Sequence, residues 1–179
     1  MSVADLPEDL VPLSWLIGRW AGVGLGQYPT IEDFRFGQEV QFSCDGRPFL
    51  TYWSRSWELD DEGNRVRPTA TESGFLRPLA DRTVEFLLTH PTGYSEIWEG
   101  SVEVTGLVQD TITGAKMELR TDVVARTEES KPYTSGHRLY GLVEGDLLWT
   151  FDMAAMDQPL QNHLAARLHP DVAAAADGD

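Results

Sequence analysis

His163 stands in the run Gln158-Pro159-Leu160-Gln161-Asn162-His163-Leu164-Ala165-Ala166. An imidazole is the side chain best suited to ligate a transition metal near neutral pH. On a strand, His163 shares a face with Gln161, Ala165 and Arg167, and the small Ala165 leaves room beside the ring for a flat ligand. The same run also reads as helix, because alanine and leucine favour it. Spacing alone does not choose between the two, nor between a ligand and an ordinary surface or core histidine. His90 continues the face of Val84, Phe86 and Leu88, so it points inward, either as a satisfied core histidine or as a pocket residue. His137 and His169 read as solvated.

At the other end of the chain lies Gly18-Arg19-Trp20-Ala21-Gly22-Val23-Gly24. Each glycine strips a side chain from an extended segment, so a second backbone or a ligand can approach closely. Trp20 supplies a large anchor and one N–H donor. The pattern suits the first strand of a small closed barrel, either as close strand packing or as part of a ligand grip. No phosphate loop, nucleophile elbow, His-Glu-x-x-His or Cys-x-x-Cys accompanies it. The many carboxylates read as a solvated acidic surface.

The elements that must position these residues are mostly strands. Val40, Phe42 and Cys44 alternate with polar neighbours, which makes Cys44 a buried packing thiol. Residues 49–57 are rich in aromatics, a composition that favours pleated backbone. Leu147, Trp149, Phe151 and Met153 share one face, after the turn Glu144-Gly145-Asp146. Asp45-Gly46, residues 60–64 and Thr92-Gly93 are turn chemistry. Roughly nine or ten short strands emerge, with no helical pattern of ~12 residues between them. An antiparallel barrel or sandwich remains, and the barrel is favoured because closure removes edge strands and a barrel of ~8–10 strands has room for a ligand. Leu13–Ile17 reads as a helical turn plugging one end. Residues 1–10 form a leader, 11–170 the barrel and 171–179 a disordered tail.

The net charge of −15 argues against nucleic acid, whose phosphates need lysine and arginine, and against an anionic membrane surface. No apolar run approaches ~18 residues, and the N-terminus lacks a signal-peptide pattern. With the single Cys44 no internal disulfide forms, and a cytoplasmic location is expected.

Taken together, Gly18–Gly24, Gly26-Gln27-Tyr28-Pro29-Thr30-Ile31, Glu72-Ser73-Gly74-Phe75, Thr92-Gly93, Met153-Ala154-Ala155 and Gln158–Leu164 resemble the nitrobindin family over residues 11–169. The resemblance implies an all-β fold, a ten-stranded antiparallel barrel of the lipocalin and fatty-acid-binding-protein type. It implies one haem b per chain in the barrel mouth, with ferric iron held by His163, and so selects the strand reading of that run. It also implies nitric oxide binding and isomerisation of peroxynitrite to nitrate, with His163 as the catalytic ligand. Tyr28 and Thr30 fall near the haem edge, Lys131 at a position that meets a propionate, and His90 toward the cavity. The motif residues Gly18, Trp20, Gly22 and Gly24 count among the cofactor-binding set. One departure stands out: where many relatives carry a histidine two residues before Glu72, this chain has Ala70. Two rival readings stay open, a non-catalytic nitric oxide carrier or sensor and a haem-free lipid-binding barrel. The oligomeric state is open too, a homodimer included.

Overall fold

Ten strands follow one another through short turns: β1 (Gly18–Tyr28), β2 (Ile31–Ser43), β3 (Leu50–Leu59), β4 (Arg65–Pro78), β5 (Thr83–His90), β6 (Tyr94–Val108), β7 (Thr111–Arg126), β8 (Tyr133–Val143), β9 (Asp146–Ala155) and β10 (Gln161–Pro170). The computed structural model describes residues 6–171. Each strand pairs antiparallel with the next, and β10 returns to β1 to close the barrel. The seam between β10 and β1 explains one of the motif glycines. A Cβ on Gly22 would stand 2.2 Å from the Arg167 carbonyl oxygen, so only glycine lets the two backbones approach this closely.

Successive hairpins place the turns alternately at two ends, and the ends differ. A 3₁₀ helix, Glu8–Leu16, plugs the end where β1 begins. Leu10, Leu13 and Leu16 are fully buried there, and each contributes roughly 1.5–3 kcal/mol of apolar burial. The Trp20 indole donates to the Leu16 carbonyl at 2.8 Å, tying plug to barrel. Phe42, Leu50, Leu76, Phe86, Met117, Leu119, Leu147 and Leu168 fill the interior with little or no exposure.

The opposite end is open. On β4 every residue from Arg65 to Thr71 is exposed; this stretch pairs with β3 alone, because β5 joins β4 only over Ser73–Pro78. The β3–β4 hairpin therefore runs past the β5–β6 turn and leaves the rim open on that side. The β1–β2, β3–β4, β5–β6, β7–β8 and β9–β10 turns ring this mouth.

The expected strand face of Leu147, Trp149, Phe151 and Met153 points inward, and Asp45-Gly46, residues 60–64, Thr92-Gly93 and Glu144-Gly145 are turns, each with a glycine at positive φ. Three expectations need correction. The helix starts at Glu8 and runs through Pro12, so residues 8–10 belong to the plug rather than to a leader. A 3₁₀ segment sacrifices only one donor to that proline. Cys44 lies just beyond the end of β2 and is half-buried, because the chain leaves the sheet before the alternation reaches it. His137 is not solvated: on the outer wall it sits between Glu118 (3.0 Å) and Asp152 (3.3 Å). Of the expected tail, residues 172–179 lie outside the described residues, as do residues 1–5 of the leader.

Candidate functional site

β10 opens with a β-bulge. Asn162 pairs with Asp152 and Leu164 with Phe151, so His163 is an extra residue with no partner on β9. A bulge of this kind re-aims a side chain. Leu164, Ala166 and Leu168 face the interior, and without the bulge His163 would point outward with Ala165 and Arg167. With it, the imidazole turns inward and meets two buried rings edge-on, Tyr28 at 5.3 Å and Phe151 at 6.0 Å between centroids. Gln161 stays on its face, opposite Met153, but the expected companions Ala165 and Arg167 do not. Counting by twos across a bulge gives the wrong partners.

The hydrogen bonding of His163 decides its chemistry. Nδ1 lies 2.9 Å from the Gln27 carbonyl oxygen. A carbonyl only accepts, so Nδ1 carries the proton and Nε2 keeps its lone pair. Burial lowers the imidazole pKa below its ordinary 6.5, against a smaller opposing effect of the Gln27 carbonyl. The ring is therefore neutral at pH 7, with one nitrogen aimed away from its anchor and ready to ligate.

Tyr28 steadies this arrangement. Its hydroxyl accepts from the Ala155 N–H at 2.9 Å and lies 3.1 Å from the Met153 and Ala155 carbonyls, to which it donates. With the hydroxyl so engaged, Tyr28 offers its ring and not a free donor. Thr30 lies on the exposed rim, its hydroxyl 3.7 Å from the Met156 sulfur. Lys131 sits on the β7–β8 turn. Thr127 N–H to Gly93 O (2.9 Å) and Ser130 Oγ to Thr92 O (2.8 Å) lash that turn to its β5–β6 neighbour. Among the described residues the Lys131 ammonium has no carboxylate partner.

The glycine-tryptophan motif is not brought to His163. Gly18 opens β1 at the plugged end, and Trp20 is anchored to the plug. Gly22 serves the seam, and Gly24 lies under the Phe36 ring, which a Cβ would meet at 2.3 Å. These residues build the wall; their sequence signal was one of close approach, and the approaching groups are backbone and phenylalanine.

His90 points inward as its phase required, but into a polar cluster that sequence reasoning missed. Its Nε2 donates to Glu96 at 3.0 Å, and its Nδ1 lies 3.8 Å from Glu72. The Trp98 indole donates to the same Glu96 oxygen at 3.0 Å. Arg138 is 2 % exposed and grips Glu72 with two hydrogen bonds, 3.1 and 2.5 Å long. Tyr52 donates to Glu72 at 2.8 Å. Burial alone would push Glu72 up; the charge and hydrogen bonds of Arg138 overcome it and hold the carboxyl at about 2. Burial would also push Glu96 up, but the hydrogen bond from His90 and the nearby Arg138 bring it below the ordinary range. The missed signal was phase: Glu96 alternates with Tyr94 and Trp98, and Arg138 with Tyr140 and Leu142, on apolar faces.

Against this geometry the comparisons are direct. The family model of the THAP4-like, heme-binding beta-barrel domain matches residues 9–169. The chain belongs to this haem-binding β-barrel family. It is 54% identical over 164 residues to a protein of a Nocardioides species named peroxynitrite isomerase, covering 92% of this chain and 94% of the relative. It is 46% identical over 166 residues to a ferric nitrobindin-like protein of Cutibacterium acnes, with the same coverage. The crystal structure of Rv2717c from M. tuberculosis superposes with a TM-score of 0.84 at 38% identity, covering 93% of this chain and 99% of that one. The residues present suit the group for which the haem-binding family is described. A neutral imidazole with a free Nε2 faces an interior open to solvent, and an unpaired cation stands on the rim. Ala70 lies on the exposed half of β4, nearly across the barrel from β10.

Proposed function

We propose that this protein binds one haem b per chain in the barrel mouth, isomerises peroxynitrite to nitrate and binds nitric oxide. The reading rests on family membership and on one observation above all, the Nδ1–H of His163 held by the Gln27 carbonyl, which leaves Nε2 as a ligand. Haem bound there would supply a ferric Lewis acid toward a small anion or diatomic. His163 would hold the iron through Nε2, and its hydrogen bond to Gln27 orients the ring and raises its donor strength. The edge-on rings of Tyr28 and Phe151 keep the imidazole from swinging. Lys131, an exposed rim cation, would meet a propionate, and Thr30 borders the same edge. Phe36, Trp149, Phe151 and Leu164 wall the interior with apolar surface that limits escape of reactive fragments. His90, locked to Glu96, supports the wall of the mouth.

The carrier reading has one observation in its favour, Ala70 where a histidine could otherwise donate to a bound ligand. Haemin titration followed by stopped-flow peroxynitrite decay decides, with His163→Ala as reference. Expected are a Soret band in the wild type that the variant lacks, and faster decay in the wild type. A Soret band with equal decay rates leaves a nitric oxide carrier. A spectrum matching free haemin beside the protein leaves a lipid-binding barrel.

A further inference from the structure

Rings line up from His163 to the rim. His163 meets Phe151 with centroids 6.0 Å apart, Phe151 meets Tyr133 at 6.2 Å, and Tyr133 meets Tyr94 at 5.8 Å, each edge to face. Tyr94 ends the file at the mouth, where its phenol donates to the Lys131 carbonyl at 2.8 Å. Tyr133 is buried, and its hydroxyl has no hydrogen-bond partner among the described residues. The mechanism above uses neither tyrosine.

The proposed substrate carries a hazard that such a file addresses. Peroxynitrous acid and a tyrosine can part into nitrogen dioxide, water and a tyrosyl radical. The O–O bond breaks, the phenol gives up one electron and its proton, and the hydroxyl fragment leaves as water. We propose that the file Phe151–Tyr133–Tyr94 carries this electron from Tyr94 to the His163 site, so that Tyr94 is the residue oxidised when isomerisation miscarries. The inference rests on the haem reading above.

Four features single out Tyr94 as the end point. Its hydroxyl sits at the mouth, where water takes the phenolic proton. Tyr133 is buried and its hydroxyl makes no hydrogen bond among the described residues, so its proton has no route to water and the radical does not rest there. Trp98 also touches Phe151, at 6.0 Å, but the Arg138 guanidinium lies 5.1 Å over Trp98 and 4.9 Å over Phe151 and disfavours a resting positive hole on either ring, so Phe151 only bridges. Tyr28 is nearer to His163, yet it is buried where Tyr94 is partly exposed, so no solvent reaches its hydroxyl to take the proton.

The test uses haemin-loaded protein treated with peroxynitrite. Freeze-quench electron paramagnetic resonance reads the radical, and peptide mapping reads nitrotyrosine and dityrosine. In the wild type the label is expected on Tyr94, falling several-fold in Tyr133→Leu and to background without haemin. Tyr94→Phe keeps the Soret band and loses the tyrosyl signal, a readout that does not depend on how well the Tyr133 variant folds. A Tyr94 label indifferent to Tyr133→Leu, a label resting on Tyr28, or a tyrosyl signal surviving Tyr94→Phe overturns the relay while leaving the haem reading intact. Absence of a Soret band in the wild type overturns both.

Discussion

Arg138→Met puts the charge at the centre of the barrel to the test. Arg138 and Glu72 are bound to each other inside the wall, with side chains 3 % and 14 % exposed. The guanidinium holds Glu72 at about 2 against an ordinary 4.5, overcoming the upward push of burial. The gap is roughly 2.5 units (4.5 − 2), and at ~1.4 kcal/mol per unit it is worth about 3 kcal/mol of stability. The folded-state value is depressed. The contribution is therefore present in full above the unfolded value near 4.5 and is lost as pH falls toward about 2. Removing the arginine leaves a buried carboxylate short of its counter-charge, a change that costs ~3–5 kcal/mol. At neutral pH the haem-free variant is expected to melt on the order of 10 °C lower. The pH trend also changes sign. In the variant burial pushes Glu72 up, so mild acid that protonates it relieves the penalty, whereas the wild type only loses stability in acid. Thermal and urea unfolding of the haem-free protein across this range reads both effects. The double variant Arg138→Met with Glu72→Gln is expected to recover most of the loss, because Glu72 no longer carries a charge and Glu96 keeps its hydrogen bonds from His90 and Trp98. A single variant as stable as the wild type at pH 7, or a double variant no better than the single, refutes the reasoning.

Three more outcomes are expected. Deleting Asn162 shortens β10 by one residue, which abolishes the bulge, places His163 opposite Asp152 and turns it outward, so the barrel should still melt cooperatively while haemin gives no Soret band; an unchanged band contradicts the bulge argument. Gly22→Ala forces a Cβ against the Arg167 carbonyl and should cost ~1–3 kcal/mol at the β1–β10 seam, measured by urea unfolding; a neutral result means the seam can open. With a net charge of −15, the protein repels an anionic ligand approaching its mouth, so the association rate of azide or nitrite with the haemin-loaded protein should rise with added salt; a fall would place a local positive field at the mouth.

Much of the barrel could be read from alternation. The inward face of Leu147, Trp149, Phe151 and Met153, the inward phase of His90 and the glycine turns all depend on neighbours a few residues apart. The first half of β4 was harder: Val66, Pro68 and Ala70 alternate with Arg65, Arg67, Thr69 and Thr71, yet all seven are exposed, so alternation there marks no buried face. The buried carboxylates hid for another reason. Glu72 and Arg138 stand 66 residues apart, and nothing local to either announces the partner that makes burial affordable.

His163 shows where the boundary falls. Residue type and family pattern named it as a ligand, but its strand phase grouped it with Ala165 and Arg167, which face outward. A period of two is a property of one strand in isolation. The extra residue that turns the imidazole inward exists only in the register of β10 against β9, and its tautomer only in the contact with Gln27 on β1. Amino-acid order set which faces are apolar, where the chain turns and which side chain can bind a metal. Closure of the sheet decided where that side chain points and which nitrogen is free, because both depend on backbone groups from strands that meet only when β10 returns to β1.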